Sequence, residues 1–388
     1  MTTIQDWLMS VCVLCLMTCG PALGVTYRLE DLGIPSHDGD SSQAWAINAS
    51  GQIAGYSAEL LGVVQACLWL DDLVLFLDDL PGGDDHSEAY AVNDAGNVVG
   101  YSSAATGDRA VLWNRREGVT QNLGDLPGGA NWSRAEGINN AGQVVGASGA
   151  ATGTRAFLWS AGGGMINLGD LPGGEDHSEA YDINDAGQVV GYSGAVTGDR
   201  AFLWSAGGGM INLGDLPGGV NESKAYAINA AGQVVGRSGA AAGDHAFLWQ
   251  DGVMIDLGEL PGGDDFSTAE DINAGGQVVG WSDVGAVDHA FVWDSAHGMQ
   301  DLNNLVDASG AGWIIRVANG INDAGQVVGY GTAPDGAIHG FLLTPNPGLP
   351  CCAIGFPLVV LPCLGGLLLV GGVGGQKKWV RRRGVESS

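Results

Sequence analysis

Apolar and polar positions along this chain show no 3.6-residue period. They fall into short runs of four to six residues, rich in β-branched and aromatic types and cut by glycine-rich breakers, which is the pattern of strands joined by tight turns. One unit reads "AYAIN", the turn "NDAG", "QVVGYS", a loop, "AFLW", the turn "SAGGG", "MINLGDL" and the breaker "PGG". In the first turn Asn can bond its own backbone two residues on, and Gly supplies positive φ. The unit recurs. Aligned on an apolar residue followed by Asn, seven copies place that pair at Ile47-Asn48, Val92-Asn93, Ile138-Asn139, Ile183-Asn184, Ile228-Asn229, Ile272-Asn273 and Ile321-Asn322. Nineteen residues, "AFLWSAGGGMINLGDLPGG", are identical at 156–174 and 201–219. A period of about 45 residues with four strand signals per unit indicates a propeller of four-stranded blades.

The two ends of the repeat decide its topology. Residues 27–33, "YRLEDLG", match the fourth strand "MINLGDL", while the seventh copy stops at "GFLLTP" (340–345), a third strand with no fourth after it. The N-terminal segment can therefore complete the last unit, so the fold expected over residues 25–345 is an all-β, seven-bladed β-propeller closed by its N-terminal strand. The "AYAIN" strand then lines the axis. Trp69, Trp113, Trp159, Trp204, Trp249 and Trp293 share one position on the third strand, with Leu343 in the seventh copy. Rings this large are expected to pack between blades; presenting six of them to a sugar is the alternative. Asn93, Asn184 and Asn229 are expected to hold the first turn.

Composition adds location. Gly is abundant (67 residues) without a G-X-Y period, and only 15% of residues are charged. The net charge of −28 is concentrated in the body, where 41 acidic residues face 10 basic ones between positions 25 and 350. Such a field excludes nucleic acid as a partner and favours solubility, cations or basic partners. Six of the seven Cys lie near the ends; Cys67 stands in a slot that other copies fill with Phe or Val. Residues 7–27 are uncharged and end in small residues, so 1–24 is expected to be a signal peptide cleaved near Gly24, with lipidation at Cys19 as the alternative. Residues 346–351 form a Pro-rich linker, and 352–375 are uncharged and long enough for one transmembrane helix. The basic run with Trp379 then makes 376–388 a cytoplasmic tail and leaves the repeats extracytoplasmic.

Candidate chemistry is sparse. No serine elbow, H-E-x-x-H or phosphate loop is present. Loops expected on one face carry Asp84, Asp85, Glu175, Asp176, Asp264 and Asp265, weak candidates for Ca2+ because carboxylates near backbone carbonyls suit hard cations. No calcium loop motif accompanies them, so no cofactor is expected. His245, His289 and His339 occupy the position filled by Arg109, Arg155 and Arg200 in other copies, beside Asp108 and Asp199, which suggests a repeated ion pair or loop clamp rather than a general base. The places where copies disagree mark a binding face: Trp132, Arg134, Lys224 and Phe266 in the inter-unit loops, and Trp313 in an insertion at 307–320. A catalytic site would break the repeat at the axis, and the seven Ile/Val-Asn strands differ little.

The set "HAFLW … LGDLPGG … AxxINxxGQVVGxS", carried by residues 245–249 and their neighbours, resembles the HAF-repeat family of extracellular bacterial proteins over about residues 27–345. Arg replaces the His in three copies, and the first copy reads "QACLWL". The linker, span and basic stop resemble PEP-CTERM-like sorting signals, although neither Pro-Glu-Pro nor "LPxTG" is present. The resemblance implies an extracytoplasmic, propeller-like protein and no reaction. The expected role is a non-catalytic binding or structural scaffold, membrane-anchored or sorted to the surface, for a glycan or protein ligand. The alternatives are a propeller hydrolase or lyase acting on an envelope polysaccharide, and a calcium-dependent adhesin. Nothing in the pattern points to an oligomer.

Overall fold

A computed structural model describes residues 25–346, except 36–38, 60, 61 and 72, together with 378–380. The expected signal peptide and the expected membrane span at 352–375 lie outside the described residues. Among the described residues there is no α-helix, and no helix long and apolar enough to cross a membrane.

The strands follow the repeat. β1 (Tyr27–Gly33) precedes unit 1, which contains β2 (Gly39–Ile47), β3 (Ile53–Glu59), β4 (Val64–Leu70) and β5 (Leu73–Phe76). Unit 2 holds β6 (Ser87–Val92), β7 (Val98–Ser102), β8 (Arg109–Asn114) and β9 (Val119–Asn122). Unit 3 holds β10 (Ser133–Ile138), β11 (Val144–Gly149), β12 (Thr154–Ser160) and β13 (Gly164–Asn167). Unit 4 holds β14 (Ser178–Ile183), β15 (Val189–Ala195), β16 (Gly198–Ser205) and β17 (Gly209–Asn212). Unit 5 holds β18 (Gly218–Ile228), β19 (Val234–Ala240), β20 (Asp244–Gln250) and β21 (Val253–Asp256). Unit 6 holds β22 (Ser267–Ile272), β23 (Val278–Val284), β24 (Val287–Asp294) and β25 (Gly298–Asp301). Unit 7 supplies β26 (Ile314–Ile321), β27 (Val327–Thr332) and β28 (Ile338–Pro345), and β29 (Lys378–Val380) ends the series.

Units 2 to 6 are separate four-stranded antiparallel sheets in sequence order, the architecture of a β-propeller. The remaining nine strands form one sheet. In it β1 lies antiparallel to β28, with Leu29 opposite Leu343, so the expected closing strand takes the fourth place beside β26–β28. One bridge, Ser41 to Ile338, joins that group to β2–β5. β29 runs parallel to β5, Trp379 beside Val74.

The fourth strands are shorter than the sequence pattern suggests. In unit 3 the strand ends at Asn167, whose Oδ1 accepts from Gly169 N at 2.8 Å while Gly169 turns the chain at φ +82°. "LGDLPGG" is thus an anchored turn and not strand.

Each first strand carries a β-bulge at one site, for example between Ala180 and Asp182. A bulge rotates the extra residue out of the ladder and re-aims its side chain. Its companion is the Gly of "QVVG". A Cβ on Gly191 would lie 1.9 Å from Glu179 O, and equivalent glycines meet the equivalent carbonyls in all seven units.

Three devices join neighbouring units. The first is apolar: Phe157 and Trp159 cluster with Val99, Leu112 and Leu123 of the unit before, and Phe202 and Trp204 with Val145 and Leu168. Trp69 and Trp113 are buried and their indoles donate to Leu32 O (3.3 Å) and Asp78 O (2.8 Å) of the preceding outer segment. The second is a buried Ser at the start of the first strand. Ser178 Oγ accepts from Ala156 N and donates to Gly169 O, and Ser133, Ser223 and Ser267 do the same elsewhere. Ser42 makes this clamp between Gly340 N and Gly33 O, across the chain closure.

The third device is a ring. Asn Oδ1 holds its own turn, as Asn184 does for Ala186 N and Gln188 N, while Nδ2 reaches the backbone of the next unit. The bonds run Asn48 to Asn93 O, Asn93 to Asn139 O, Asn139 to Asn184 O, Asn184 to Asn229 O, Asn229 to Asn273 O and Asn273 to Asn322 O. Asn322 then donates to Asn48 O at 3.1 Å and returns to the start.

The insertion at 307–320 seats the closing strand. Tyr27 N donates to Leu305 O, Asp307 N donates to Tyr27 O, and Leu29 N donates to Ser309 Oγ at 2.7 Å. Trp313 packs partly buried against the same cluster as Tyr27 and Leu29.

Candidate functional site

The bulges decide what faces the axis. The bulged residues are Trp45, Tyr90, Glu136, Tyr181, Tyr226, Glu270 and Asn319, one per unit and far from uniform. The expectation that the axial strands differ little therefore holds for the Ile/Val-Asn pair and fails three residues before the Asn. Adjacent members meet across units: Trp45 lies edge-on to Tyr90 with centroids 5.7 Å apart, and Tyr181 lies 5.3 Å from Tyr226. Second-strand residues stand behind them, with Tyr101 stacked on Tyr90 and Tyr192 on Tyr181. Together these half-buried side chains form an axial lining, called the funnel below, on the loop side of the asparagine ring, where the first strands of neighbouring units pack side by side. On the other side a pit of about 280 Å³ is bounded by five of the ring asparagines, Asn48, Asn93, Asn139, Asn184 and Asn322, with Asp94, Asp185 and Asp323.

Units 2 and 4 carry the same polar network. Tyr101 OH donates to Glu88 Oε1 (2.9 Å), Tyr90 OH to Glu88 Oε2 (3.0 Å), and His86 Nε2 lies 2.7 Å from Tyr101 OH. In unit 4, His177 Nε2 lies 2.9 Å from Tyr192 OH, and Tyr181 OH donates to Glu179 at 3.3 Å. A cation from the following unit covers each: Arg134 Cζ sits 4.5 Å from the Tyr101 centroid, and Lys224 Nζ 4.0 Å from that of Tyr192.

Burial, then neighbouring carboxylates, push the phenols of Tyr90, Tyr101, Tyr181 and Tyr192 upward, so they are hydrogen-bond donors and not bases. Burial also raises Glu136 to about 7, against the pull of Arg134, and raises Glu270 to about 7, against the Trp281 indole and Arg237. Asp271 is likewise raised to about 7 although it accepts from Ile321 N and Ile272 N.

Arg134 and Lys224 thus cover the second-strand tyrosines behind the axial lining. Phe266 reaches its edge, stacked on Trp281 with centroids 5.0 Å apart. Trp132, half-buried, packs over Gly149 beside the unit 3 loop, and Trp313 belongs to the seat of the closing strand. The acidic candidates do not converge. Asp84, Asp85, Glu175, Asp176, Asp264 and Asp265 are exposed on three separate loops, and Asp176 is engaged by Arg155 at 2.6 Å. No group of three metal-ligating side chains occurs among the described residues. A hollow of about 550 Å³ beside Glu175, His177 and Asp199 opens between two unit 4 loops.

The Arg/His position is a clamp: Arg109 and Arg200 reach Asp108 and Asp199 through their backbone oxygens (3.0 Å each), and the ion pairs go elsewhere. Arg155 and Arg200 pair with Asp170 (3.6 Å) and Asp215 (3.7 Å) of the "GDLPGG" turn. His245, His289 and His339 reach Asp256, Asp301 and Asp31 on the outer strand, all within 3.0 Å. The sequence carries the signal: where Arg is present the outer strand ends in Asn, and where His is present it ends in Asp. The repeated serines and the bulged position are the residues that sequence reasoning passed over.

No protein-family model matches the chain, and no curated protein does. Among solved structures it is similar to a gluconolactonase from Xanthomonas campestris (13% identity, 84% of this chain and 99% of that one, TM-score 0.38). It is also similar to TolB from Acinetobacter baumannii (12% identity, 77% and 64%, TM-score 0.41) and to a lectin from Aleuria aurantia (13% identity, 71% and 94%, TM-score 0.33). These three TM-scores lie below 0.5, and the β-propeller architecture stands on the sheet topology.

Proposed function

We propose that this chain is a seven-bladed β-propeller acting as an extracytoplasmic, non-catalytic binding module, with a glycan seated in the axial funnel. The blade count follows from dividing the nine-stranded sheet at its single Ser41–Ile338 bridge, which agrees with seven repeats and seven ring asparagines. The observation that carries the binding reading is the lining. Around the axis two aromatic pairs, Trp45 with Tyr90 and Tyr181 with Tyr226, are each followed by a carboxyl group, Glu136 and Glu270, and Asn319 completes the circuit. Flat apolar faces beside hydrogen-bonding groups suit a polyhydroxylated ring.

A hydrolase reading draws on Glu136 and Glu270, since glycosidases use paired carboxyl groups. Such a pair needs environments that separate an acid from a base. Here burial raises both in the same direction to about 7, which favours binding over turnover. Export and surface retention rest on the apolar ends. A span at 352–375 with its tail across the membrane and the pairing of 378–380 with β5 exclude each other in one molecule.

The test is calorimetric titration of neutral and acidic oligosaccharides, with and without calcium. Saturable binding, weakened about tenfold or more by Tyr181→Ala with Tyr226→Ala, is the expected result. Release of reducing ends from any of them, or heat only in the presence of calcium, would replace the reading with the enzyme or the adhesin.

A further inference from the structure

Only ten basic residues lie between positions 25 and 350, and four of them gather at the funnel: Arg134, Lys224, Arg237 and Arg316. Three are engaged. Lys224 pairs with Asp199 (3.5 Å), Arg237 with Glu222 (3.8 Å) and Asp244 (3.6 Å), and Arg316 with Asp288 (3.7 Å). Arg134 is different. Among the described residues it makes no hydrogen bond and no ion pair; its guanidinium lies over Tyr101, and its buried Nε, like that of Arg316, has no acceptor. Leaving a buried donor without an acceptor is unfavourable, the more so when it is charged. A second donor is stranded nearby: Trp45 Nε1 is buried without a partner, and Trp45 touches Tyr90, which stacks on Tyr101. Both unpartnered groups on this side of the funnel are donors, so what completes them is an acceptor.

We propose that Arg134 is the anchor of the funnel and that it takes the carboxylate of a uronic-acid-bearing glycan, with Trp45 Nε1 donating to the same sugar. This rests on the binding reading above and names its ligand class. A guanidinium fork matches a carboxylate with two parallel bonds, and Arg134 alone of the four cations has its fork free. The carboxylates around it oppose an anion less than their number suggests. Glu88 already accepts from two phenols. Glu136 faces Arg134 on its own strand, Glu88 and Tyr90 on β6, and Glu179 and Tyr181 on β14, and its carboxyl, raised to about 7, surrenders its charge readily. Uronate binding should therefore tighten as pH falls from 8 to 6, and Glu136→Gln should remove that trend.

The test uses the full chain with three probes: a galacturonate oligosaccharide, its methyl ester, and a glucose oligosaccharide. The acid should bind about tenfold or more tightly than its ester. Arg134→Gln should erase that difference by costing the acid about tenfold more than its ester, Arg134→Lys should restore part of it, and Trp45→Phe should weaken both forms. Equal affinity for acid and ester, or an equal loss of both in Arg134→Gln, overturns the anchor. Binding of only the glucose oligosaccharide also overturns it but leaves the glycan module standing. Binding of no probe removes both.

Discussion

Gly191 lacks a side chain because the carbonyl oxygen of Glu179 occupies the place where a Cβ would go, 1.9 Å away. That oxygen is backbone held by the bulge and cannot swing aside. Gly191→Ala is expected to lose about 3 kcal/mol in urea unfolding. Gly207, in the outer hairpin, has open space within 4 Å of the point where a Cβ would stand and no positive φ, so Gly207→Ala should be neutral or stabilise by up to about 1 kcal/mol. Equal losses at the two positions would show that backbone propensity and not the bulge sets the requirement. Both residues were visible in the sequence as repeated glycines. The reason for one of them was not, because a close approach between two strands leaves no local signature. The Arg/His clamp was half legible: the exchange of the two residues was plain, but their partners lie on the outer strand or the turn after it, 11 to 16 positions away or, for His339, across the closure at Asp31, beyond the reach of a local reading.

At the scale of the strand, the repeat gave the order and the ladder gave the rest. The size of the repeated Trp rings pointed to a contact between units, and Trp159 clusters with Val99 and Leu112 of the unit before, together with Phe157, which the sequence reading did not single out. Alternation could not place the axial lining, because a bulge adds one residue and shifts the side-chain period. Trp45, Glu136 and Asn319 consequently looked like harmless variation inside a regular strand. The serine clamps were missed for another reason: Ser is an ordinary strand-end residue, and only the fold shows Ser178 serving a donor and an acceptor in the preceding unit. Ser178→Ala should cost about 1–3 kcal/mol, read from urea unfolding, since both partners stay buried. The axial carboxyl groups add a pH effect. Glu136, Glu270 and Asp271 are raised to about 7, whereas in an unfolded chain carboxyl groups ionise near 4. Between about pH 4 and 7 the folded chain therefore binds more protons than the unfolded one. Through these groups stability falls as pH rises across that window and levels off above it. The double variant Glu136→Gln, Glu270→Gln should gain melting temperature relative to the parent as pH rises from 4 to 8. A constant difference would mean that water in the funnel keeps both groups at ordinary values.

For the whole molecule the question is whether the seven units close. The sequence suggested closure from one complementary fragment, β1 on β28, and the structure adds two connections across the same seam: the Ser42 clamp and Asn322 to Asn48. A ring and an open row make different demands on identical residues. In a row, the end units fray, and removing an end contact costs little of the global stability. In a ring no unit is an end. Asn322→Ala, at the seam, should then lose as much as Asn184→Ala, in the middle of the sequence, because each removes one bond to the next unit and the same support of its own turn. The expected loss is about 1–3 kcal/mol for each, measured in one cooperative unfolding transition. Deleting residues 27–33 should do more than either, since it strips the outer strand from β28 and uncovers Leu343 and Phe341 along an open edge. A synthetic peptide of that sequence, added back, should restore the transition. If Asn322→Ala is neutral while Asn184→Ala is costly, and the deletion leaves the transition unchanged, the units form a row, and the funnel at their axis is not a closed site.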